Sequence, residues 1–573
     1  MPASPTRVLE RDVPMTTRDG VTLRAVVHRI EDRTDQPVVL VRNPYGEDLV
    51  RTLPYDAFLD AGFAVVVQDC RGCATSDGDF APFEHEEQDT LDAIGWCAAL
   101  PYGNGTVATY GMSYLGMTQL AAAVDAPAEL AAIVPIVTPA DYHTGVAYRG
   151  GAMQLGQLTG WYTMTSAMAL QRRAARGEDV GEQLARFAAH AADPWASVAE
   201  GPLADAPVVS EVLPTWRRWL AEETWGDYWS RVGYRDRRSA IAVPGLHVGG
   251  WFDLFLGGTL DNFTTLSGSA ATERARRGQR LIVGPWSHRD RDGVVGERDF
   301  GPSASEEGFG LTAAVTRFLT AAVAGERIPD APVRIFVMGA DEWRDEQEWP
   351  LARTAYTPWY LHAGGALSPV EPARSEPSTY VHDPSDPVPM RGGQSGIFAG
   401  GLEGGDEWTP GPRDQRPLDD RADLLRFVSE PLADDVEVTG PVRVVLHAAT
   451  SADDTDFVAR LVDVWPDGRA MSVVDGIVRA KYRDGQDRAR PITPGEVTRY
   501  EIDLWGTSQL FRAGHRIRVD IASSSYPNWS VNSGALVDVG RAIAADNRPA
   551  HQQVFHDPAH ASHILLPVIP PAE

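Results

Sequence analysis

Gly111-Met112-Ser113-Tyr114-Leu115-Gly116 is the stretch whose reading decides this chain. It follows an apolar β-type run, Gly105-Thr106-Val107-Ala108-Thr109-Tyr110, and precedes a helix-forming run, Met117 to Val124. A serine between strand and helix, flanked by small residues, is the setting of a nucleophile elbow. A sharp turn strains the serine backbone, demands small neighbours and lifts the hydroxyl above the sheet. The following helix aims its N-terminal N–H groups at the site, where they favour developing negative charge. The usual pattern has Gly two residues after the serine, and here Leu115 stands there. Taken alone, the motif also fits a glycine-rich turn with an ordinary surface serine.

Outward from the elbow, short apolar runs recur. Pro37 to Arg42 ends in the turn Asn43-Pro44-Tyr45-Gly46, Phe63 to Gln68 ends at Asp69, and Ala131 to Ile136 follows the elbow helix. Each has the continuous apolar character of a strand buried on both faces. Helical patterns such as 84–99 lie between them, so the spacing predicts a parallel sheet with ligands at the carboxyl ends of its strands. Asp19-Gly20, between alternating runs, predicts a hairpin at the start. Between 142 and 238 the strands vanish and Ala, Trp and Arg dominate, with helical stretches at 163–175 and 211–231. This predicts a helical insertion lying over the strand ends. Strand texture returns at Val243 to Gly250, Arg280 to Trp286 and Val333 to Met338. Beyond about 352, alternating runs at 356–361, 423–428, 441–449, 455–464, 472–481, 498–504 and 515–523 predict an all-β sandwich or jelly roll. The Gly-, Pro- and Asp-rich stretch 381–422 is expected to be a long ordered loop.

Ser113, Asp253 and His288 each fall in a turn just after a buried strand, in the chain order Ser, Asp, His of an α/β-hydrolase triad. His288 would take the Ser113 proton and return it to the leaving group. Asp253 would hold the imidazole tautomer and stabilise the imidazolium. The N–H of Tyr114 and the phenol of Tyr45 could meet the oxyanion. Among the 14 histidines, His247 sits mid-strand and reads as a core residue, and His143 and His190 lie in the insertion. Asp69 and Asp77 precede Ser113 and suit a turn or an ion pair.

The 573 residues imply two or three domains, and 43% hydrophobic with 23% charged residues describe a globular protein. A formal net charge of −27 argues against nucleic acid and anionic membranes as partners, which require a basic face. Cys70 and Cys73 form a C-x-x-C pair with no second pair to complete a zinc site. No metal or cofactor is expected, and two thiols near a turn are the simpler reading. No secretory signal or membrane-length apolar run is seen, which favours the cytoplasm. Association as a homodimer is left open.

Longer stretches carry a resemblance: RDGVTL (18–23), VRNPYG (41–46), VVQDCRGCATSDGDF (66–80), GMSYLGMTQ (111–119), GGWFDLF (249–255), LIVGPWSH (281–288), FVMGADEWRDEQEWP (336–350) and LVDVWPDGRA (461–470). With these the chain resembles the bacterial cocaine-esterase-like serine hydrolases, relatives of X-prolyl dipeptidyl aminopeptidases and α-amino-acid ester hydrolases. The resemblance implies an α/β-hydrolase domain (1–141 and 239–351), a helical cap inserted in it (142–238) and a C-terminal all-β jelly-roll domain (352–573). It places the triad on Ser113, Asp253 and His288 and the oxyanion hole on Tyr45 and Tyr114. It puts an aromatic acyl pocket on Trp161 and Phe255, joined by Phe398. The family's second cap tryptophan, near Tyr148, is replaced by Ala147; the segment 391–411 has diverged; and no carboxylate cluster for a substrate ammonium can be placed. The expected activity is serine-esterase cleavage of a carboxylic ester through an acyl-enzyme. Amide or peptide hydrolysis on the same triad is the alternative, and a non-catalytic carbohydrate-binding protein the weaker one.

Overall fold

The Val and Ile runs at 38–41, 65–67 and 133–134 leave no polar face for water, and all are buried. The computed structural model describes residues 6–46, 53–199, 201–395 and 408–571. Those residues form a ten-stranded sheet from β1 (Arg7–Thr16), β2 (Thr22–Ile30), β3 (Gln36–Asn43), β4 (Ala64–Asp69), β5 (Gly103–Met112), β6 (Leu130–Ile136), β7 (Leu246–Gly250), β8 (Arg280–Gly284), β9 (Val333–Val337) and β10 (Glu342–Glu346). Their order is β1-β2-β4-β3-β5-β6-β7-β8-β9-β10. β1 and β2 form the hairpin at Asp19-Gly20, and every pair from β4 to β9 is parallel. The crossover between β3 and β4 reverses the order there, and the elbow sits one strand away, at the end of β5. Helices Glu86–Ala98, Tyr114–Ala123, Leu256–Ser269 and Leu311–Val323 pack on the sheet through buried apolar faces. This is the α/β-hydrolase arrangement.

The segment between β6 and β7 is helical and carries Leu155–Ala175 and Gly181–Ala192. The expected helix over 211–231 is broken into Val209–Val212, Thr215–Ala221 and Asp227–Val232. Pro214 caps the second, and residues 222–226 carry the chain round a corner. Trp216, Trp219 and Trp229 are buried in this cluster.

The C-terminal part is two antiparallel sheets, of eight and four strands, around a separate apolar core. It includes strands the alternation did not reveal: Ser378–His382, Ala550–Asp557 and His563–Val568. The last two residues of the first, Val381 and His382, fall in the stretch expected as loop. This part leans on the α/β half. Trp505, at φ 65°, lies so close to Gly257 that a Cβ there would meet its indole nitrogen at 2.4 Å. Arg149 of the insertion stacks its guanidinium 3.5 Å over the same indole, and the Gln394 amide donates to the Trp251 carbonyl at 3.1 Å.

Candidate active site

Ser113 turns the chain from β5 into helix Tyr114–Ala123 with φ 58° and ψ −123°. A residue with a side chain avoids that region, at a cost of about 1–3 kcal/mol. The turn is pinned on both sides. The Ser113 N–H donates to the Ile136 carbonyl at 2.8 Å, and its own carbonyl accepts from Gly116 and Met117. A Cβ on Gly111 would lie 2.4 Å from that of Leu115, and one on Gly116 would lie 1.9 Å from Thr138 Oγ1. The small residues the turn needs are therefore Gly111 and Gly116, and Leu115 fits because Gly111 makes room for it.

Asp253 follows β7 and His288 follows β8, adjacent parallel strands. His288 Nδ1 and Asp253 Oδ2 are 2.6 Å apart, and Asp253 Oδ1 accepts from the Phe255 N–H at 2.7 Å. Asp253 is fully buried. A carboxylate on Nδ1 fixes the proton on that nitrogen and so sets the imidazole tautomer.

One small cavity, of about 20 Å³, brings together Ser113, His288, Tyr45, Tyr114, Trp161 and Phe255. The Tyr45 hydroxyl accepts from Trp161 Nε1 at 3.0 Å, so its own proton is available to a third group. Burial pushes this phenol above its ordinary pKa, keeping it a donor at neutral pH. The Tyr114 phenol is held by partners of its own. It donates to Glu86 Oε1 at 2.7 Å and accepts from the Phe83 N–H at 3.2 Å, and Glu86 is held by buried Arg42 at 3.2 Å. This chain ties down the residue whose backbone N–H opens the helix. The Phe255 ring meets the His288 ring edge-on at 5.5 Å.

Phe83 and Gln157 also line the cavity, and sequence reasoning missed both. Phe83 holds φ 66° and stacks on Tyr114 at 4.6 Å and Tyr142 at 4.3 Å. Its only signal was a pair of aromatics around a proline in a loop, Phe80-Ala81-Pro82-Phe83. Phe398 lies outside the described residues. The rival acids and bases have other partners: Asp69 accepts from Thr75, Asp77 pairs with Arg24, His143 meets the Glu223 carbonyl, His190 meets Thr163, and His247 meets Gln279. Cys70 and Cys73 are buried free thiols whose pKa values burial raises, which makes poor nucleophiles of them. Among the described residues no cluster of three or more His, Cys, Asp or Glu is arranged to hold a metal ion.

A strained serine at an elbow, with an Asp-anchored histidine on the same cavity of a doubly wound sheet, defines a serine hydrolase of the α/β-hydrolase class. Residues 19–290 match the X-Pro dipeptidyl-peptidase (S15 family) model, and residues 328–565 match the model of the X-Pro dipeptidyl-peptidase C-terminal non-catalytic domain. The chain belongs to this family. It is 37% identical to the cocaine esterase of Rhodococcus sp. (strain MB1 Bresler), over 97% of both chains. Among solved structures it is similar to an aminopeptidase from a marine sediment Thaumarchaeota archaeon (TM-score 0.83, 25% identity, 99% of this chain and 97% of that one). It shares its fold with an α-amino acid ester hydrolase (TM-score 0.83, 24% identity, 99% and 97%). The protein is an enzyme, a serine hydrolase of the ester-cleaving kind. No helix among the described residues is long and apolar enough to cross a membrane.

Proposed function

We propose that this enzyme cleaves carboxylic esters with aromatic acyl groups through an acyl-enzyme on Ser113. The observation that carries this reading is the Asp253-anchored His288 beside Ser113 in an aromatic-walled cavity. His288 Nε2 takes the Ser113 proton as Oγ attacks the ester carbonyl. The carbonyl oxygen becomes an anion between the Tyr114 N–H and the Tyr45 hydroxyl. His288 then protonates the departing alcohol, and water repeats the sequence to release the acid. Phe255 and Trp161 flank the acyl group, with offset and edge contacts worth about 0.5–1.5 kcal/mol beyond area burial.

Amide or peptide cleavage is less well supported. An X-prolyl dipeptidyl peptidase must hold a substrate ammonium, and among the described residues no Asp or Glu lines this cavity. A cytoplasmic location suits three buried unpaired thiols, and a homodimer would be read from the mass in solution. The test is a set of paired esters and anilides of benzoic and acetic acid, with fluorophosphonate labelling. The expected result is labelling at Ser113 and a clear preference for benzoyl esters. Labelling elsewhere, or anilides cleaved as fast as esters, would refute the proposal.

A further inference from the structure

Gln157 lines the candidate catalytic cavity with its amide oxygen unpartnered among the described residues. It sits in the first turn of helix Leu155–Ala175, one helical turn before Trp161, so both side chains share a face. Its side chain is 7% exposed, and the amide oxygen is buried with no hydrogen-bond partner among the described residues. Leu158, Val146, Met117, Phe83 and Leu254 on the cavity wall have no side-chain donors, and none of the donors that do line it, on Ser113, Tyr45, Tyr114, Trp161 and His288, is hydrogen-bonded to that oxygen. Burying an amide acceptor without a partner is costly, and such groups in native proteins call for an explanation. A donor on a molecule held in the cavity would satisfy it.

The order of bond breaking says which part of a substrate that is. In an acyl-enzyme reaction the alcohol leaves first and needs an open way out. The acyl group stays attached to Ser113 until water arrives, so an enclosed cavity suits it. Resting on the aromatic-acyl reading above, we infer that Gln157 selects an acyl ring bearing a hydrogen-bond donor, so that the preferred substrates are esters of hydroxy- or amino-substituted benzoic acids. The ring lies between Phe255 and Trp161, and its hydroxyl or amino hydrogen points at Gln157 Oε1. A plain benzoyl group has no donor and leaves that oxygen unpaired.

The test compares kcat/KM for benzoyl, 3-hydroxybenzoyl, 4-hydroxybenzoyl and the two matching methoxybenzoyl esters of one alcohol. The methoxy esters have the oxygen in place but no donor. Wild type should favour at least one hydroxybenzoyl ester over benzoyl by about 10-fold or more, and the methoxy isomer should gain nothing. Gln157→Met keeps side-chain length and removes the acceptor. It should bring the hydroxybenzoyl-to-benzoyl ratio close to one, with Tm equal to or above wild type, because an unsatisfied polar group is gone. A ratio near one in wild type, or a preference that survives in Gln157→Met, overturns the inference while the esterase assignment stands. Should the variant not fold, the wild-type ratios decide alone. Acetyl esters outrunning every benzoyl ester would defeat the aromatic-acyl reading itself, and this inference with it.

Discussion

The indole nitrogen of Trp161 donates to the hydroxyl of Tyr45 at 3.0 Å. A phenol that already accepts from one side has its remaining proton directed. The tryptophan expected only as a wall of the acyl pocket therefore also aims the hydroxyl proposed here for the oxyanion hole.

Tyr45→Phe should lower kcat about 100-fold or more with KM changed far less, the signature of a contact made mainly in the transition state. Trp161→Phe, which keeps a ring and loses the N–H, should lower kcat about 3- to 10-fold for an acetyl ester, as expected for one neutral hydrogen bond. Because that bond acts through Tyr45, the double variant should be no slower than Tyr45→Phe alone. Steady-state kinetics on the four enzymes check this; additive losses would separate the two residues.

Ser113→Ala should retain the fold and reduce turnover to near background. Ser113→Gly should be as inactive and more stable than Ser113→Ala, since glycine accepts φ 58° without strain worth about 1–3 kcal/mol. Thermal melts of the two variants, side by side, measure that difference. A Ser113→Ala enzyme with wild-type turnover would overthrow the triad.

Phe255→Leu should cost a benzoyl ester more kcat/KM than it costs an acetyl ester of the same alcohol. The Phe255 ring also packs edge-on against His288, so some loss of Tm and some loss on both substrates are expected. The decisive quantity is the ratio between the two esters. An unchanged ratio would reduce Phe255 to packing.

His247 gives the fold a pH dependence of its own. It is buried, meets Gln279 at 2.9 Å, and burial lowers its pKa to about 4, against about 6.5 in the unfolded chain. Between those values the unfolded chain binds more protons. This contribution to stability is therefore full above pH 6.5 and falls as pH drops toward 4, by about 3 kcal/mol in all. His247→Gln removes the titration, so its Tm should fall less than that of wild type between pH 7 and pH 4.5. Parallel curves would place the acid sensitivity elsewhere.

What the sequence made legible was what strand ends write locally. Ser113, Asp253 and His288 each follow a short apolar run, which is why pattern and chain order singled them out as the candidate triad. Tyr45 sat in the same kind of turn. Contacts between distant segments left no such mark. Trp161 and Tyr45 lie 116 positions apart, and Glu86 opens an acidic helix that reads as solvated although it is buried beneath Tyr114. Strand Ser378–His382 was missed because its partner, Ala550–Asp557, lies far along the chain. That partner, AHQQVFHD, buries polar Gln552 and His556, which hides its alternation.

The family description calls the C-terminal portion non-catalytic, yet Trp505 lies against the helix that starts three residues after Asp253. Gly257 is a socket for that indole, and no larger residue would seat there. The enzyme is therefore a poor subject for miniaturisation. A gene cut back to its hydrolase half would bare an apolar socket beside Asp253, the acid of the proposed triad. Grafting a foreign β domain onto that half would succeed only if the graft brought its own plug for the socket.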